Sequence, residues 1–139
     1  MINYNYEVDF KLTEESKYTD WVDLVISKEA HELGEITFIF CTDEYLLKIN
    51  QNYLKHDTYT DIITFDYTEN RTVSADVFIS LDRVRENAVK FKITSDQEML
   101  RVMVHGVLHL LGYKDKTTSD TEMMREKEEE MMQLFHVEP

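Results

Sequence analysis

One cysteine, one proline and three glycines are spread over 139 residues, too few for several protein classes. The lone Cys41 excludes an internal disulfide and suits a reducing compartment. With Pro139 as the only proline and glycine confined to positions 34, 106 and 112, there is no Pro- or Gly-rich spacer, and no repeat or low-complexity stretch interrupts the chain. No apolar run approaches the roughly 18–20 residues that span a bilayer, so no membrane partner is expected. The start, Met1-Ile-Asn-Tyr-Asn-Tyr-Glu7, lacks the basic and then apolar regions of a secretory signal. These absences point to a cytoplasmic protein forming one domain over residues 1–139, long enough to bury a proper core.

Positive charge is also in short supply. Fifteen Lys and Arg face 28 Asp and Glu, a net charge of −13 that disfavours non-specific attraction to nucleic acid and gives no reason to expect a DNA partner. The charge is uneven: five cations face three acids between Arg83 and Arg101, whereas from Lys114 onward four face eight. A local basic face and an ordinary solvated helix surface both fit the first stretch.

What is there reads as α+β. Ile2, Tyr4, Tyr6, Val8 and Phe10 alternate with polar residues, the period of a half-buried strand. Thr13 opens a helix with the apolar stripe Trp21, Val22, Leu24 and Val25, fading near Leu33-Gly34. Glu35 to Cys41 is a β-branched and aromatic strand. Asp43 caps a second helix carrying Tyr45, Leu46, Ile49 and Tyr53. Strands over Asp61–Asp66 and Val73–Ser80 flank a short Thr68–Arg71 link, as in a hairpin. Ser80 caps a helix with Val84, Ala88, Val89 and Phe91. Ser95-Asp-Gln-Glu98 and Ser119-Asp-Thr-Glu122 are capping-box signals for two more helices, the last carrying Met123, Met124, Met131, Leu134 and Phe135. The Glu126-Lys-Glu-Glu-Glu130 run within it reads as a solvated face. The sum is a small mixed sheet of about four strands packed with about five helices.

The densest chemistry lies in His105-Gly-Val-Leu-His109-Leu-Leu-Gly112-Tyr-Lys-Asp115. Histidines at i and i+4 share one helix face and can reach a common ion. Gly112 stops the helix, and the returning chain can bring Asp115 in as a third ligand. Three protein ligands leave a tetrahedral ion one open position, the layout of a catalytic site. Core histidines are the plainer alternative. Yet this helix is apolar nearly all round, and a buried unsatisfied imidazole costs about 1–3 kcal/mol. In H-E-x-x-H proteases the residue after the first histidine is the glutamate base; here it is Gly106, which argues against peptide hydrolysis and would let substrate or neighbouring backbone approach. A His₂Asp donor set favours Zn²⁺, with Mn²⁺ or another divalent ion more competitive than at three imidazoles.

These residues carry a resemblance. His105-Gly-Val-Leu-His109-Leu-Leu-Gly112-Tyr113 resembles the H-G-x-L-H-L-x-G-Y-D-H signature of the YbeY family, metal-dependent endoribonucleases of bacterial rRNA maturation. Ile49-Asn50-Gln-Asn-Tyr53-Leu-Lys-His-Asp57-Thr-Tyr-Thr60-Asp61-Ile-Ile-Thr64-Phe65 is similar to the family's L-N-x-x-Y-R-x-x-D-x-x-T-D-V-L-S-F segment, and Ala75-Asp76-Val-Phe-Ile79-Ser80 to its G-D-I-x-I-S strand. Two departures matter. Asp115 stands where the family has its third histidine ligand, preceded by Lys114 in place of aspartate, and Leu54 stands where the family has an arginine thought to act on RNA.

The resemblance implies cleavage of single-stranded RNA near the 3′ end of small-subunit rRNA, in ribosome biogenesis, with small-subunit components and an assembly GTPase as partners. An ion held by His105, His109 and Asp115 would polarise a phosphoryl oxygen. Lys55, beside Leu54, or Arg71 would steady the phosphate charge. Asp61 and Asp76 are candidates to orient a ligating histidine through its free ring nitrogen, or else serve as strand-end and sheet-edge polar groups. His31, His56 and His136 read as ordinary surface residues. A non-catalytic ribosome-assembly factor with a structural metal is the alternative from another class.

Overall fold

The computed structural model describes residues 1–56 and 58–135. Its elements run β1 (Ile2–Tyr6), α1 (Glu15–Lys28), β2 (Glu32–Cys41), α2 (Asp43–Leu54), β3 (Ile62–Asp66), β4 (Thr72–Ser80), α3 (Leu81–Phe91), α4 (Ser95–Leu110) and α5 (Thr118–Phe135). The expected α+β architecture is what forms. The sheet has four strands in the order β1-β2-β4-β3, with β1, β2 and β4 parallel and β3 antiparallel at the edge. The β3–β4 connection is the hairpin expected around Thr68–Arg71.

Strand parity divides the sheet into two faces. Ile36, Phe38 and Phe40 of β2 and Val73, Ala75, Val77 and Ile79 of β4 point into the main core, where each large side chain contributes about 1.5–3 kcal/mol by leaving water. Tyr4 stacks on Phe38 and Tyr6 on Phe40 across the β1–β2 register, at 5.9 and 5.4 Å between ring centroids. Cys41, Ile63 and Phe78 face the other way, under α2.

Helix α4 is the buried helix its composition demands: eight apolar residues and Gly106 are shielded, and it contacts β3, β4, α1, α3 and α5. Helix α5 packs on α4 and α1, anchored by the buried Trp21 indole, which donates to the Met131 carbonyl at 2.8 Å. Among the described residues no helix is long and apolar enough to cross a membrane.

Several helix starts differ from the sequence expectation. Thr42, not Asp43, caps α2, its hydroxyl accepting from the Tyr45 amide. The capping box of α4 is Thr94 with Gln97 rather than Ser95 with Glu98. Thr117 and Asp120 make the reciprocal pair that opens α5, two residues before the expected one. In the first two cases the residue just upstream is also Ser or Thr at the right offset, and the core-facing stripe decides between overlapping signals. Helix α1 starts from Glu14 at φ 60° with no side-chain cap, so Thr13 is not its cap. Leu24, Val89, Phe91 and Met123 are substantially exposed rather than core residues.

Candidate metal centre

The end of α4 is built by local rules. Leu111 is its C-cap and Gly112 takes φ +104°, where an L side chain is strained and glycine is not. Gly112 N–H donates to His109 O and Tyr113 N–H to Leu108 O, both at 3.0 Å, which is the Schellman arrangement. This turn carries the chain back over the last turn of α4. The Asp115 backbone carbonyl accepts from the Thr121 hydroxyl at 3.3 Å, tying the bend to α5.

His105, His109 and Asp115 thereby meet. His105 Nε2 lies 3.0 Å from His109 Nε2, and Asp115 Oδ2 lies 3.4 and 3.2 Å from these two nitrogens. The other ring nitrogens are engaged: His105 Nδ1 donates to Glu128 Oε2 at 2.6 Å and His109 Nδ1 to the Tyr113 carbonyl at 3.0 Å. Neither partner has a hydrogen to give, so each neutral ring carries its proton on Nδ1. Two bare nitrogen lone pairs and a carboxylate oxygen then converge on one point. That is repulsive unless a cation lies between them. Donors about 2.0–2.1 Å from a tetrahedral zinc stand about 3.3–3.4 Å apart, close to the spacings found here, so the donor set fits a divalent ion.

The cluster borders a cleft of about 540 Å³ between the end of α2, β3 and α4, with Leu54, Asp61, Thr64 and Gly106 in its wall. Gly106 has a packing reason. A Cβ there would stand 2.7 Å from Ile62 Cδ1, so what approaches the helix is the β3 side chain rather than substrate or backbone. Asp61 lies 3.7 Å from the Arg101 guanidinium. Burial raises its carboxyl above the ordinary carboxylate range, against the opposing pull of Arg101 and His105.

Asp61 and Asp76 do not orient the histidines. Asp76 has the wrong strand parity: its neighbours Ala75 and Val77 face the α4 side, while Asp76 turns to the other face and accepts from the Tyr67 hydroxyl at 3.1 Å. The group on His105 is Glu128, inside the run expected to be a solvated face. Its partners on the buried stripe are Met124 and Met131, at helical spacings of four and three, and that pattern is visible in the sequence. Lys55 is exposed at the C-cap of α2, in the left-handed region, beside the cleft-lining Leu54. Arg71 is at the far end of the β3–β4 hairpin, donating to the Ala30 carbonyl, and does not line the cleft. Of the other histidines, His56 is exposed, His31 lies at the end of α1 with its Nδ1 donating to the Glu29 carbonyl, and His136, like Asp57, is outside the described residues.

Fold and donor set together define a class: α+β proteins that gather a His-x-x-x-His pair and a third donor beside an open cleft. The family described as Endoribonuclease YbeY matches residues 3–136. Endoribonuclease YbeY of Flavobacterium psychrophilum is 54% identical over 137 residues, covering 99% of this chain and 98% of that protein. Its namesake from Bacteroides thetaiotaomicron is 47% identical over 116 residues, covering 84% and 85%. A solution structure of a Thermotoga maritima protein shares the fold, with a TM-score of 0.69 at 23% identity over 97% of this chain and 89% of that one. The chain belongs to the YbeY family of endoribonucleases.

Proposed function

We propose that this chain is a metal-dependent endoribonuclease that cuts single-stranded RNA, acting as one domain in the cytoplasm. Zinc is its resident ion and the 3′ region of small-subunit rRNA its substrate. The observation that carries this reading is the convergence of three electron-pair donors, 3.0–3.4 Å apart, beside an open cleft. The relatives' name supplies the substrate class.

A bound divalent ion supplies Lewis-acid polarisation of a phosphoryl oxygen and makes a nearby water more acidic. The chain's own groups are assigned the rest. His105, His109 and Asp115 hold the ion. Lys55 at the cleft rim, with the exposed Lys114 and Lys116 on either side of Asp115, meets the phosphate charge in an otherwise acidic protein. Asp61, whose raised carboxyl sits in the cleft wall, takes the proton of the attacking nucleophile. Gly106 leaves no room for the glutamate of a zinc protease without displacing Ile62, which supports a phosphodiester rather than a peptide substrate. Small-subunit components and an assembly GTPase are the partners this reading directs attention to.

One observation favours a second reading, an assembly factor that binds without cutting: Leu54 lines the cleft with an apolar side chain where a cation would serve catalysis. Purified protein incubated with end-labelled single-stranded and duplex RNA, with and without chelator, separates the two. Metal-dependent products from the single strand alone, absent in His105→Ala/His109→Ala, are expected. No such product would leave the binding reading. Elemental analysis should find about one zinc per chain, the content of a single three-ligand site.

A further inference from the structure

We propose that Glu128 is the positioning residue of this site. It fixes the His105 ring with Nε2 turned to the cleft, and Arg101 with Glu98 holds Glu128 to that task. The inference rests on the metal reading above and adds to it a residue of a different helix that lies outside the donor set.

Glu128 and Glu98 are 2% and 0% exposed, and a buried carboxylate without compensation costs several kcal/mol. One guanidinium serves both. Arg101 Nε and Nη2 donate to Glu98 Oε1 and Oε2 at 2.8 and 2.6 Å, completing a two-pronged pair. Its remaining Nη1 stands 3.5 Å from Glu128 Oε1, which has no hydrogen-bond partner among the described residues.

Glu128 places its one short bond, 2.6 Å through Oε2, on His105 Nδ1. A carboxylate buried merely to bridge α4 and α5 would take the arginine fork itself. Here the fork goes to Glu98, and Glu128 is left facing the imidazole. Asp61, Glu98 and Glu128 surround a single Arg101, and Asp115 adds a fourth carboxylate on the histidine side, an excess of negative charge that a divalent ion offsets. A carboxylate on the far ring nitrogen locks the tautomer, fixes the ring plane and raises the basicity of the ligating nitrogen.

The test uses the full chain as wild type, Glu128→Gln and Glu128→Leu. Long-range ¹⁵N–¹H spectra of the metal-free proteins, recorded where imidazoles are neutral and assigned by the signal lost in His105→Ala, read the His105 tautomer. Competition with a coloured chelator reads zinc affinity. Wild type should carry its proton on Nδ1. Glu128→Leu should release the ring to a tautomer mixture and weaken zinc about 10–100-fold. Glu128→Gln retains an acceptor oxygen and should keep the tautomer and most of the affinity, and it carries the comparison if the leucine variant does not fold. A wild-type His105 protonated on Nε2, or a leucine variant with unchanged tautomer and affinity, overturns the proposal. If wild type binds no zinc, the metal reading fails by itself while the tautomer still decides the role of Glu128.

Discussion

Replacing Gly106 with valine tests whether the histidine helix is seated on β3 by the absence of a side chain. A Cβ at this position stands 2.7 Å from Ile62 Cδ1 and 3.5 Å from both Thr64 Cγ2 and Val77 Cγ1. Alanine gains about 1 kcal/mol of helix propensity. It also drives one flexible methyl, the end of Ile62, off its preferred rotamer, which costs about 0.5–1.5 kcal/mol, so Gly106→Ala should be close to neutral. Valine adds two more methyls toward atoms already in contact and keeps only part of the propensity gain. Overpacking of this kind costs about 1–3 kcal/mol. With a urea slope near 2 kcal/mol/M, the midpoint of Gly106→Val should fall by about 0.5–1.5 M, while that of Gly106→Ala stays near wild type. Because the displaced helix carries both imidazoles, zinc affinity should fall with stability in the valine variant. A valine variant with wild-type midpoint and wild-type zinc affinity would refute the reasoning.

Zinc at about 100 times its Kd should stabilise the chain by about 2.7 kcal/mol, raising Tm by about 8–14 °C. Calorimetry should show that shift absent in His105→Ala/His109→Ala and reduced in Asp115→Ala; a shift surviving in the double variant would place the ion elsewhere. Gly112→Ala should cost at least about 1–2 kcal/mol in thermal unfolding, all of it from backbone strain at φ +104°, since a Cβ there would meet nothing within 4 Å. Burial pushes the Cys41 thiol up to about 12. The unfolded chain releases that proton at a lower pH than the folded one, so this contribution is fully present below the ordinary thiol pKa and is lost as pH rises toward 12. The fall in urea midpoint between about pH 8 and about pH 11 should be smaller in Cys41→Ala than in wild type, the remainder coming from tyrosines that burial also raises, Tyr4 among them; an equal fall in both would assign the whole loss to those other groups.

The fold was legible where periodicity is strong. The alternation in β1, the apolar run of β2 and the all-round apolar character of α4 each led to the element observed. Helix starts were less so, because Thr-Ser-Asp-Gln-Glu offers two overlapping caps and only the tertiary core chooses between them. The convergence of His105, His109 and Asp115 followed from spacing and from Gly112, both local features. Glu128 was missed because its partner is 23 positions away on another helix. A run of acids at the surface and a run with one acid turned inward look alike unless the 124, 128, 131 stripe is read first. Asp76 takes the plainer of its two expected roles, a polar group on the sheet face away from α4, because strand parity, not proximity in sequence, decides which face a side chain serves.

Helix α5 is synthesised after every other element described here, yet it holds Trp21 through a carbonyl 110 positions away and holds His105 through Glu128. A growing chain that has released the histidine helix but not this one therefore has its ligands without their orientation. An RNA-cutting activity that needs that orientation would thus wait until α5 has emerged and packed on α4.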